Sequence, residues 1–256
     1  MNDEDFSGRS VLVTGAARGL GFKIAAAFHG RGANVVLNDL DLNRIEHAIA
    51  GLGGGERLTA ASGDISSVSG CEAIVQTALS RYGRLDVLVN NAAINWEMPI
   101  AAHTEEIWDK HVDTILKGSF FCTRAALPAL KQSGGNVVNI ASELGLRPIV
   151  NNVAYCAAKG GLVNMTRALA VELAPAIRVN CVCPGSMDTE LMRECAEASG
   201  DPKSYYAYYE KFAALNRIGT PAEVAETVVF VASPRAAFMT GSIIAIDGGS
   251  TAGRHG

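Results

Sequence analysis

Short apolar segments alternate with longer helix-like segments along almost the whole chain, and this alternation constrains the fold more than any other feature. Several short segments are apolar throughout, which is typical of parallel strands that are buried on both faces. The repeated order of strand, helix and strand predicts an α/β fold with a doubly wound, mostly parallel sheet and helices on both faces. The seven predicted strands are Ser10–Thr14, Asn34–Asn38, Leu58–Ala61, Leu85–Val89, Asn136–Ile140, Ile177–Val182 and Ile243–Ile246.

One segment, residues 186–217, interrupts this alternation. It follows the sixth predicted strand, is too long for an ordinary connection and contains two helix-like pieces. Ligands of open α/β sheets bind at the carboxyl ends of the strands, so this segment is predicted to be a lid over a substrate. The length of 256 residues and the absence of a linker-like stretch predict a single domain over residues 1–256.

Composition and charge exclude several classes of protein. The net charge of −4 argues against a nucleic-acid partner, and no apolar run is long enough to span a membrane. The acidic start Met1-Asn2-Asp3-Glu4-Asp5 is unlike a signal peptide. Six cysteines form no CxxC pair and five histidines show no metal-ligand spacing. We therefore expect a cytoplasmic protein without a metal site.

A glycine-rich turn joins the first predicted strand to a helix predicted over Gly19–Gly30. It reads Thr14-Gly15-Ala16-Ala17-Arg18-Gly19-Leu20-Gly21. Glycines at such a turn let backbone N–H groups approach a phosphate, and the helix N-terminus adds partial positive charge. A glycine triplet alone is a weak signal, but its position in a βαβ unit predicts a dinucleotide site.

Asp39 lies at the end of the second predicted strand, 24 residues after Gly15. A carboxylate here accepts hydrogen bonds from an adenosine ribose and repels a 2′-phosphate, which favours NAD over NADP. Asp39 or Asp41 also suits the N-cap of the next helix, and capping is compatible with ribose binding. Arg18 favours a 2′-phosphate, but we give it less weight because a carboxylate in the ribose pocket opposes that group directly.

Tyr155 and Lys159 are four residues apart and therefore share one face of a predicted helix. A phenol with its usual pKa near 10 is a poor base at neutral pH, and a nearby ammonium lowers that pKa. The pair is then suited to exchange a proton with an alcohol or a ketone. This spacing also arises by chance between surface residues, so its meaning depends on the motifs around it.

The order and spacing of these motifs resemble those of the short-chain dehydrogenase/reductase family, from Ser10 to about Gly249. The resemblance implies a Rossmann-type fold and dehydrogenase chemistry. Each motif is weak alone, whereas their joint occurrence is specific. The matching elements are the TGxxxGxG turn at Thr14–Gly21, Asp64, Asn90-Asn91-Ala92, Ser142, Tyr155 with Lys159, Pro184-Gly185 with Thr189, and Asp247-Gly248-Gly249.

The resemblance implies a role for each matching residue. Tyr155 is expected to be the general acid/base, and Ser142 is expected to hydrogen-bond the substrate oxygen. Lys159 is expected to hold the nicotinamide ribose and to lower the Tyr155 pKa, and Thr189 to bind the carboxamide. The other residues expected to contact or shape the NAD site are Gly15, Arg18, Gly19, Leu20, Gly21, Asp39, Asp64, Ile65, Asn91, Ala92, Pro184 and Gly185.

Two positions depart from the family pattern. Ile115 stands where the family usually has a catalytic asparagine, in the stretch Ile115-Leu116-Lys117-Gly118. Isoleucine has no side-chain hydrogen bond to offer, so we expect a weakened or rerouted proton relay, with Asp113, Thr114 or the Ile115 carbonyl as substitutes. Ala93 replaces the glycine that usually follows Asn-Asn-Ala, which adds only a methyl group.

The leading function is therefore an NAD-dependent oxidoreductase that interconverts a secondary alcohol and a ketone. A 3-oxoacyl thioester reductase is an alternative, although such family members commonly use NADPH, which Asp39 disfavours. A non-catalytic NAD-binding protein is a second alternative, suggested by Ile115. Family members are often homo-oligomers, so a tetramer or a dimer is expected.

Two sets of residues favour different substrates. The aromatic and apolar residues of the lid favour a cyclic or aryl alcohol, which we prefer, whereas Glu143, Asn151 and Asn152 suit the hydroxyls of a sugar-like polyol. The lid residues are Met187, Leu191, Met192, Tyr205, Tyr206, Tyr208, Tyr209 and Phe212.

Overall fold

A computed structural model describes residues 5–253, apart from the side chains of Leu191 and Ala198. Seven strands form one parallel sheet in the order β3-β2-β1-β4-β5-β6-β7. The strand order reverses between β1 and β4, which makes this the topological switch point. The strands are β1 Ser10–Val13, β2 Asn34–Asp39, β3 Leu58–Ser62, β4 Val87–Asn90, β5 Asn136–Ile140, β6 Arg178–Pro184 and β7 Ile243–Ile246.

Helices connect the strands and cover both faces of the sheet. Within the described residues, none of them is both long enough and apolar enough to cross a membrane. The α-helices are α1 Gly19–Gly30, α2 Leu42–Gly51, α3 Val68–Tyr82, α4 Glu105–Val112, α5 Gly118–Ser133, α6 Val153–Leu173, α7 Glu190–Ala198, α8 Pro202–Glu210 and α9 Pro221–Ala232. A π-helical turn over Asp113–Lys117 joins α4 to α5, and a 3₁₀ turn over Glu143–Gly145 follows β5.

The two faces of the sheet bury separate apolar cores. Val11 and Val13 of β1 lie in the core beneath α1 and α9, whereas Leu12 between them lies in the core beneath α3 and α5. Successive strand residues point to opposite faces, so a strand that is covered on both faces is apolar at every position. This arrangement confirms the predicted doubly wound sheet.

Each predicted strand is present, with ends shifted by at most two residues. The two-residue shifts are at β4, which begins at Val87 rather than at Leu85, and at β6, which ends at Pro184 rather than at Val182. Asp86, directly before β4, is charged rather than apolar. Its carboxylate accepts a hydrogen bond from the Ser10 N–H at 2.8 Å and pairs with Arg84. The strand therefore starts after this side-chain anchor.

The segment predicted to be a lid, residues 186–217, contains the two helices α7 and α8. Thr189 caps α7 by accepting a hydrogen bond from the Met192 N–H at 3.2 Å. Asp201 caps α8 in the same way, through the Ser204 N–H at 3.1 Å. The two predicted helical pieces are confirmed, and they begin at the carboxyl end of β6.

Candidate active site

The glycine-rich turn between β1 and α1 has no room for side chains. Gly15 has a φ of +63°, and a Cβ there would lie 2.8 Å from Ala92 Cα. A Cβ on Gly21 would lie 2.6 Å from Asn91 Nδ2 and also collide with the Gly15 backbone. Only glycine fits these two close approaches. Because these positions carry no side chain, the backbone of the turn can approach a bound ligand closely.

Hydrogen bonds from β4 hold the turn in place. The Thr14 hydroxyl accepts from the N–H groups of Asn91 at 2.9 Å and Ala92 at 3.0 Å. The Asn91 amide donates to the carbonyls of Thr14 at 2.9 Å and Gly15 at 3.2 Å. The role of Asn91 visible in the structure is thus to tie the turn to the neighbouring strand.

A cavity of about 400 Å³ lies at the switch point, and we call it the switch-point cavity. No side chain caps the N-terminus of α1, so its first N–H groups remain available at this cavity. Of the residues predicted to contact NAD, those that line it are Gly15, Arg18, Gly19, Leu20, Gly21, Asp39, Asp64, Ile65, Asn91, Ala92 and Thr189. A glycine cradle and an uncapped helix N-terminus suit a dinucleotide pyrophosphate.

The two aspartates after β2 have different partners. Asp41 caps α2, accepting from the N–H groups of Asn43 at 2.9 Å and Arg44 at 3.4 Å. Asp39 lines the switch-point cavity and accepts from the Leu40 N–H at 2.8 Å and the Ala17 N–H at 3.4 Å. Since Asp41 caps α2, Asp39 is not needed as the cap, and its carboxylate forms part of the cavity wall.

A second and larger cavity, of about 780 Å³, lies under α7 and α8, and we call it the lid cavity. Ser142, Tyr155 and Gly185 line it, and Thr189 lines both this cavity and the switch-point cavity. Pro184 is buried at the end of β6 and lines neither cavity. The predicted catalytic serine and tyrosine thus line the lid cavity and not the switch-point cavity.

Ser142, Tyr155 and Lys159 come together at the start of α6. The Ser142 hydroxyl lies close enough to the Tyr155 phenol to lower its pKa, and it accepts a hydrogen bond from the Leu144 N–H at 3.1 Å. Lys159 Nζ lies 5.6 Å from the centroid of the Tyr155 ring and donates to the Ile140 carbonyl at 2.7 Å. Lys159 is only 2% exposed, so its ammonium is held in protein rather than in water.

Burial shifts both titrating groups of this cluster. It raises the pKa of Tyr155 to about 12, with the Ser142 hydrogen bond acting in the opposite direction. It lowers the pKa of Lys159 to about 8. The lowering of the Tyr155 pKa by Lys159 that the resemblance implies stays a prediction, because the largest cause of the shift in this structure is burial and Lys159 is not among its causes. Tyr155 therefore carries its proton at neutral pH and is a proton donor.

Ile115 lies within the π-helical turn and is fully buried in a small core with Ala158 and Leu162. Its carbonyl accepts a hydrogen bond from the Ser119 hydroxyl at 2.6 Å, and a carbonyl oxygen has a second lone pair. Of the expected substitutes, Asp113 pairs with Lys117 at 3.2 Å, whereas Thr114 lines the switch-point cavity. A π-helical turn often marks a functional site.

The polar wall of the lid cavity differs from the sequence-based expectation. Glu143 lines the cavity as expected, whereas Asn151 is exposed and lines no described cavity. Asn152 is buried and accepts from the Asn95 amide at 2.9 Å, and it is Asn95 that lines the cavity. Asn152 therefore acts on this wall only through Asn95.

The lid contributes five of its predicted residues to the cavity. Tyr206 and Tyr208 do not line it, since Tyr206 bonds to Asp188 at 3.3 Å and Tyr208 is 55% exposed. The side chain of Leu191 lies outside the described part of the structure. The lining residues from the lid are Met187, Met192, Tyr205, Tyr209 and Phe212.

Sequence reasoning missed several lining residues of both cavities. Asn95-Trp96-Glu97-Met98 lies directly after the Asn-Asn-Ala motif, at the carboxyl end of β4, and this position was an available signal. Arg147 also lines the lid cavity, and no pattern in the sequence pointed to it. In the switch-point cavity the missed residues are Asn38, Leu40, Arg44, Gly63, Ile94 and Glu190, whereas Ala93 and Thr114 had been named for other reasons.

Comparisons with known proteins agree over nearly the whole chain. A family model described as enoyl-(acyl carrier protein) reductase matches residues 15–251. An uncharacterized oxidoreductase of Thermotoga maritima is 37% identical over 255 residues, which cover 97% of this chain and 99% of that protein.

Two solved structures are also similar. A short-chain dehydrogenase/reductase from Brucella melitensis, described as a glucose/ribitol dehydrogenase, is 38% identical with a TM-score of 0.90, covering 96% of this chain and 98% of that one. L-Sorbose reductase from Gluconobacter frateurii, in complex with NADPH and L-sorbose, is 28% identical with a TM-score of 0.94, covering 98% of this chain and 100% of that one.

Proposed function

The chain belongs to the short-chain dehydrogenase/reductase family, and we propose that it is an NAD-dependent oxidoreductase that interconverts a secondary alcohol and a ketone. The observation that carries this proposal is the cluster of Ser142, Tyr155 and Lys159, whose serine and tyrosine line the lid cavity, while Thr189 lines both this cavity and the switch-point cavity. One cavity suits a dinucleotide, and the other is enclosed by the lid and suits a small molecule.

In the direction of ketone reduction, Tyr155 donates its phenolic proton to the substrate oxygen. The raised pKa keeps this proton on Tyr155 at neutral pH until the oxygen becomes basic. The Ser142 hydroxyl accepts from the Leu144 N–H, so on substrate binding it can donate its own proton to the same substrate oxygen. When bound, the nicotinamide supplies or accepts the hydride.

Lys159 stabilises the phenolate that remains after this transfer. Its ammonium is close to the Tyr155 ring and is shielded from water, so its charge acts more strongly than it would at the surface. The Ile140 carbonyl orients the ammonium. We propose that the Ile115 carbonyl replaces the missing asparagine in the path by which protons reach this lysine.

The preference for NAD rests on Asp39. Its carboxylate lines the switch-point cavity and repels a 2′-phosphate there, while Asp41 fulfils the capping role. The two arginines that line the same cavity are each paired with a carboxylate, Arg18 with Glu194 at 3.2 Å and Arg44 with Asp41 at 3.4 Å. Their attraction for a 2′-phosphate is thereby reduced.

Absorbance at 340 nm, with NAD or NADP and a panel of cyclic, aryl and polyhydroxylated alcohols, tests the proposal. We expect turnover with NAD, and Tyr155→Phe should lower it by about 10²–10⁴-fold while NADH binding persists. Tyr208→Phe is the matched control, because Tyr208 is exposed and lines no described cavity.

The alternatives give distinct results in the same assay. Turnover of 3-oxoacyl thioesters with NADPH alone would support the thioester reductase. NADH binding without turnover of any substrate class, equal in wild type and Tyr155→Phe, would support the non-catalytic protein. The homo-oligomeric assembly and the cytoplasmic location stay predictions from the sequence.

A further inference from the structure

We propose that His111 positions Trp96 in the wall of the lid cavity and thereby sets the affinity for substrates that carry an aromatic ring. This inference rests on the proposed function, because it takes the substrate to bind in the lid cavity beside Ser142 and Tyr155. It adds a positioning residue that lines no described cavity itself and acts through its neighbour.

Trp96 lies in a segment whose conformation depends on specific contacts. Residues 91–99, which follow β4, form neither helix nor strand. A hydrogen bond from the Met98 N–H to the Asn151 carbonyl at 2.8 Å ties the far end of this segment to the body of the protein. Trp96 lines the lid cavity and is 41% exposed, so part of its ring surface is available to a ligand. The position of that ring is fixed by α4.

His111 of α4 contacts both the backbone and the ring of Trp96. The Trp96 N–H donates to His111 Nε2 at 3.4 Å. The two rings meet edge to face, with centroids 5.4 Å apart and an interplanar angle of 87°, which is a favourable arrangement for an aromatic pair. The ammonium of Lys110 lies 5.8 Å from the centroid of the Trp96 ring and pairs with Glu106 at 2.8 Å. Two consecutive residues of α4 therefore hold Trp96.

The hydrogen bonds of His111 define its protonation state. Nδ1 lies 2.8 Å from the Ile107 carbonyl, which can only accept, so Nδ1 carries the proton. Nε2 faces the Trp96 N–H, which can only donate, so Nε2 is the unprotonated nitrogen. His111 is therefore a neutral imidazole with one donor and one acceptor, and both are used.

His111 occupies a position that would otherwise suit an apolar side chain. It is fully buried, four residues before Ile115, which is also fully buried. Burying a polar ring costs free energy unless its nitrogens are hydrogen-bonded. An apolar side chain would avoid that cost but would offer no acceptor to the Trp96 N–H. The acceptor nitrogen is therefore what histidine contributes at this position.

An aryl substrate depends on the position of Trp96 more than a small acyclic substrate does. Trp96, Tyr205 and Tyr209 give the lid cavity its aromatic groups. Pairs of aromatic rings are favourable only in certain orientations and at centroid distances of about 4.5–7 Å, so a displaced Trp96 should bind a phenyl group less well. The proton transfer at Tyr155 uses other residues and should continue.

The test compares 1-phenylethanol with 2-propanol, in which a methyl group replaces the phenyl ring, in the assay with NAD at 340 nm. Three substitutions separate the contacts of the imidazole. His111→Gln can keep the acceptor for the Trp96 N–H, His111→Asn can keep the donor to the Ile107 carbonyl, and His111→Phe keeps only a ring.

We expect His111→Asn and His111→Phe to raise KM for 1-phenylethanol about threefold to tenfold, the usual effect of one lost hydrogen bond. The kcat value for this alcohol and both constants for 2-propanol should stay within about twofold of wild type, because only binding of the ring is weakened. His111→Gln should restore most of the wild-type KM.

His47→Gln is the control, because His47 is exposed on α2 and outside every described cavity. A purely structural role of His111 would change the constants for both alcohols alike, or would lower kcat without changing KM, and either result would overturn the inference. Equal effects of all three His111 substitutions would overturn it as well.

Trp96→Ala tests the inference from the other partner and spares the buried histidine. It should raise KM for 1-phenylethanol at least as much as His111→Asn does. Adding His111→Asn to Trp96→Ala should cause no further increase, because the histidine acts through the tryptophan. An unchanged KM in Trp96→Ala, or increases that add up in the double variant, would contradict the inference.

The fluorescence of Trp96 separates failure of the inference from failure of the proposed function. The chain has two tryptophans, so Trp108→Phe leaves Trp96 as the only one. In that background, without cofactor or substrate, His111→Asn and His111→Phe should increase the quenching of Trp96 by acrylamide, and His111→Gln should restore the wild-type value.

This quenching pattern in a protein that turns over no alcohol would retain the positioning of Trp96 and reject the proposed reaction. Turnover with an unchanged KM for 1-phenylethanol in every His111 variant would reject the inference alone, whatever the quenching shows. Neither turnover nor a change in quenching would reject both.

Discussion

The switch-point cavity is shaped mainly by backbone groups, whereas the lid cavity is shaped mainly by side chains. The first is shaped by backbone, with Gly15 and Gly21 packed against β4 and an uncapped helix N-terminus at its edge. The second is shaped by long side chains from three separate places, namely the segment after β4, the 3₁₀ turn after β5 and the lid. Backbone-built sites tolerate few residue types, whereas side-chain walls tolerate many.

Under the proposed function, this difference lets the two sides serve one reaction. A site made of backbone groups and small residues would recognise what all dinucleotides share, the pyrophosphate. A wall that includes Trp96, Glu143 and Tyr209 would recognise what distinguishes one alcohol from another. Variation on the substrate side therefore leaves the cofactor side intact, and substitutions on each side should fail in different ways.

The largest effect is expected at Lys159, which is buried beside the ring of Tyr155. Lys159→Met should lower kcat by about 10²–10⁴-fold, because no other ammonium remains to stabilise the Tyr155 phenolate. Steady-state kinetics with NAD and the best alcohol measure this effect. An unchanged kcat would show that the cluster is not the reaction centre.

The same lysine gives a pH dependence of stability with a defined sign. Its pKa falls from 10.5 to about 8 on folding, so the penalty for burying the ammonium is present below pH 8 and is lost as the pH rises. Between pH 7 and pH 9.5 wild type should gain about 2 kcal/mol relative to Lys159→Met. Urea unfolding of both proteins at each pH measures the difference, and a constant difference would contradict the shift.

Gly21 tests the backbone-built side. Gly21→Ala brings a Cβ against Asn91 and the Gly15 backbone, and overpacking of this kind costs about 1–3 kcal/mol, or roughly tenfold to a hundredfold in NADH affinity. Gly30→Ala is the control on the same helix, because a Cβ there meets nothing within 4 Å. NADH fluorescence titration measures the affinity, and equal values for both variants would show that the close approach is unimportant.

Asp39 and Asp41 offer a matched pair for cofactor preference. Asp39→Ala should shift the ratio of kcat/KM for NAD over NADP by about tenfold toward NADP, corresponding to a loss of about 1.4 kcal/mol of repulsion. Asp41→Ala should keep the ratio and lower the stability by about 1 kcal/mol, since it removes the cap of α2. The reverse pattern would assign the ribose site to Asp41.

The sequence was sufficient for the sheet and for most of the switch-point cavity, for one physical reason. Strands such as β1 are buried on both faces, and turns such as Gly15 need a positive φ, so few residue types are possible there. Asp39 was predicted to face the cavity from its place at the end of β2, although the sequence left open which aspartate caps α2.

The lid cavity was less predictable because its lining depends on how side chains pack. Tyr206 and Tyr209 look alike in the sequence, but only Tyr209 lines the cavity. The direction of the Tyr155 pKa shift likewise depends on burial, its largest cause, which the spacing of Tyr155 and Lys159 does not reveal. Asn95 escaped notice because its unpartnered oxygen results from a hydrogen-bond chain through Asn152 that no local pattern reveals.

The smallest effect is expected where the two sides touch at the surface. Arg18 of the glycine turn pairs with Glu194 of α7 at 3.2 Å, and both side chains are about half exposed. Such pairs contribute about 0–1 kcal/mol, so Glu194→Gln should change KM for NAD by about twofold or less. Glu197→Gln, an exposed control on the same helix, should have no effect. A change in KM of tenfold or more that is specific to Glu194→Gln would mean that the lid position governs cofactor binding, and the two sides would then not be independent.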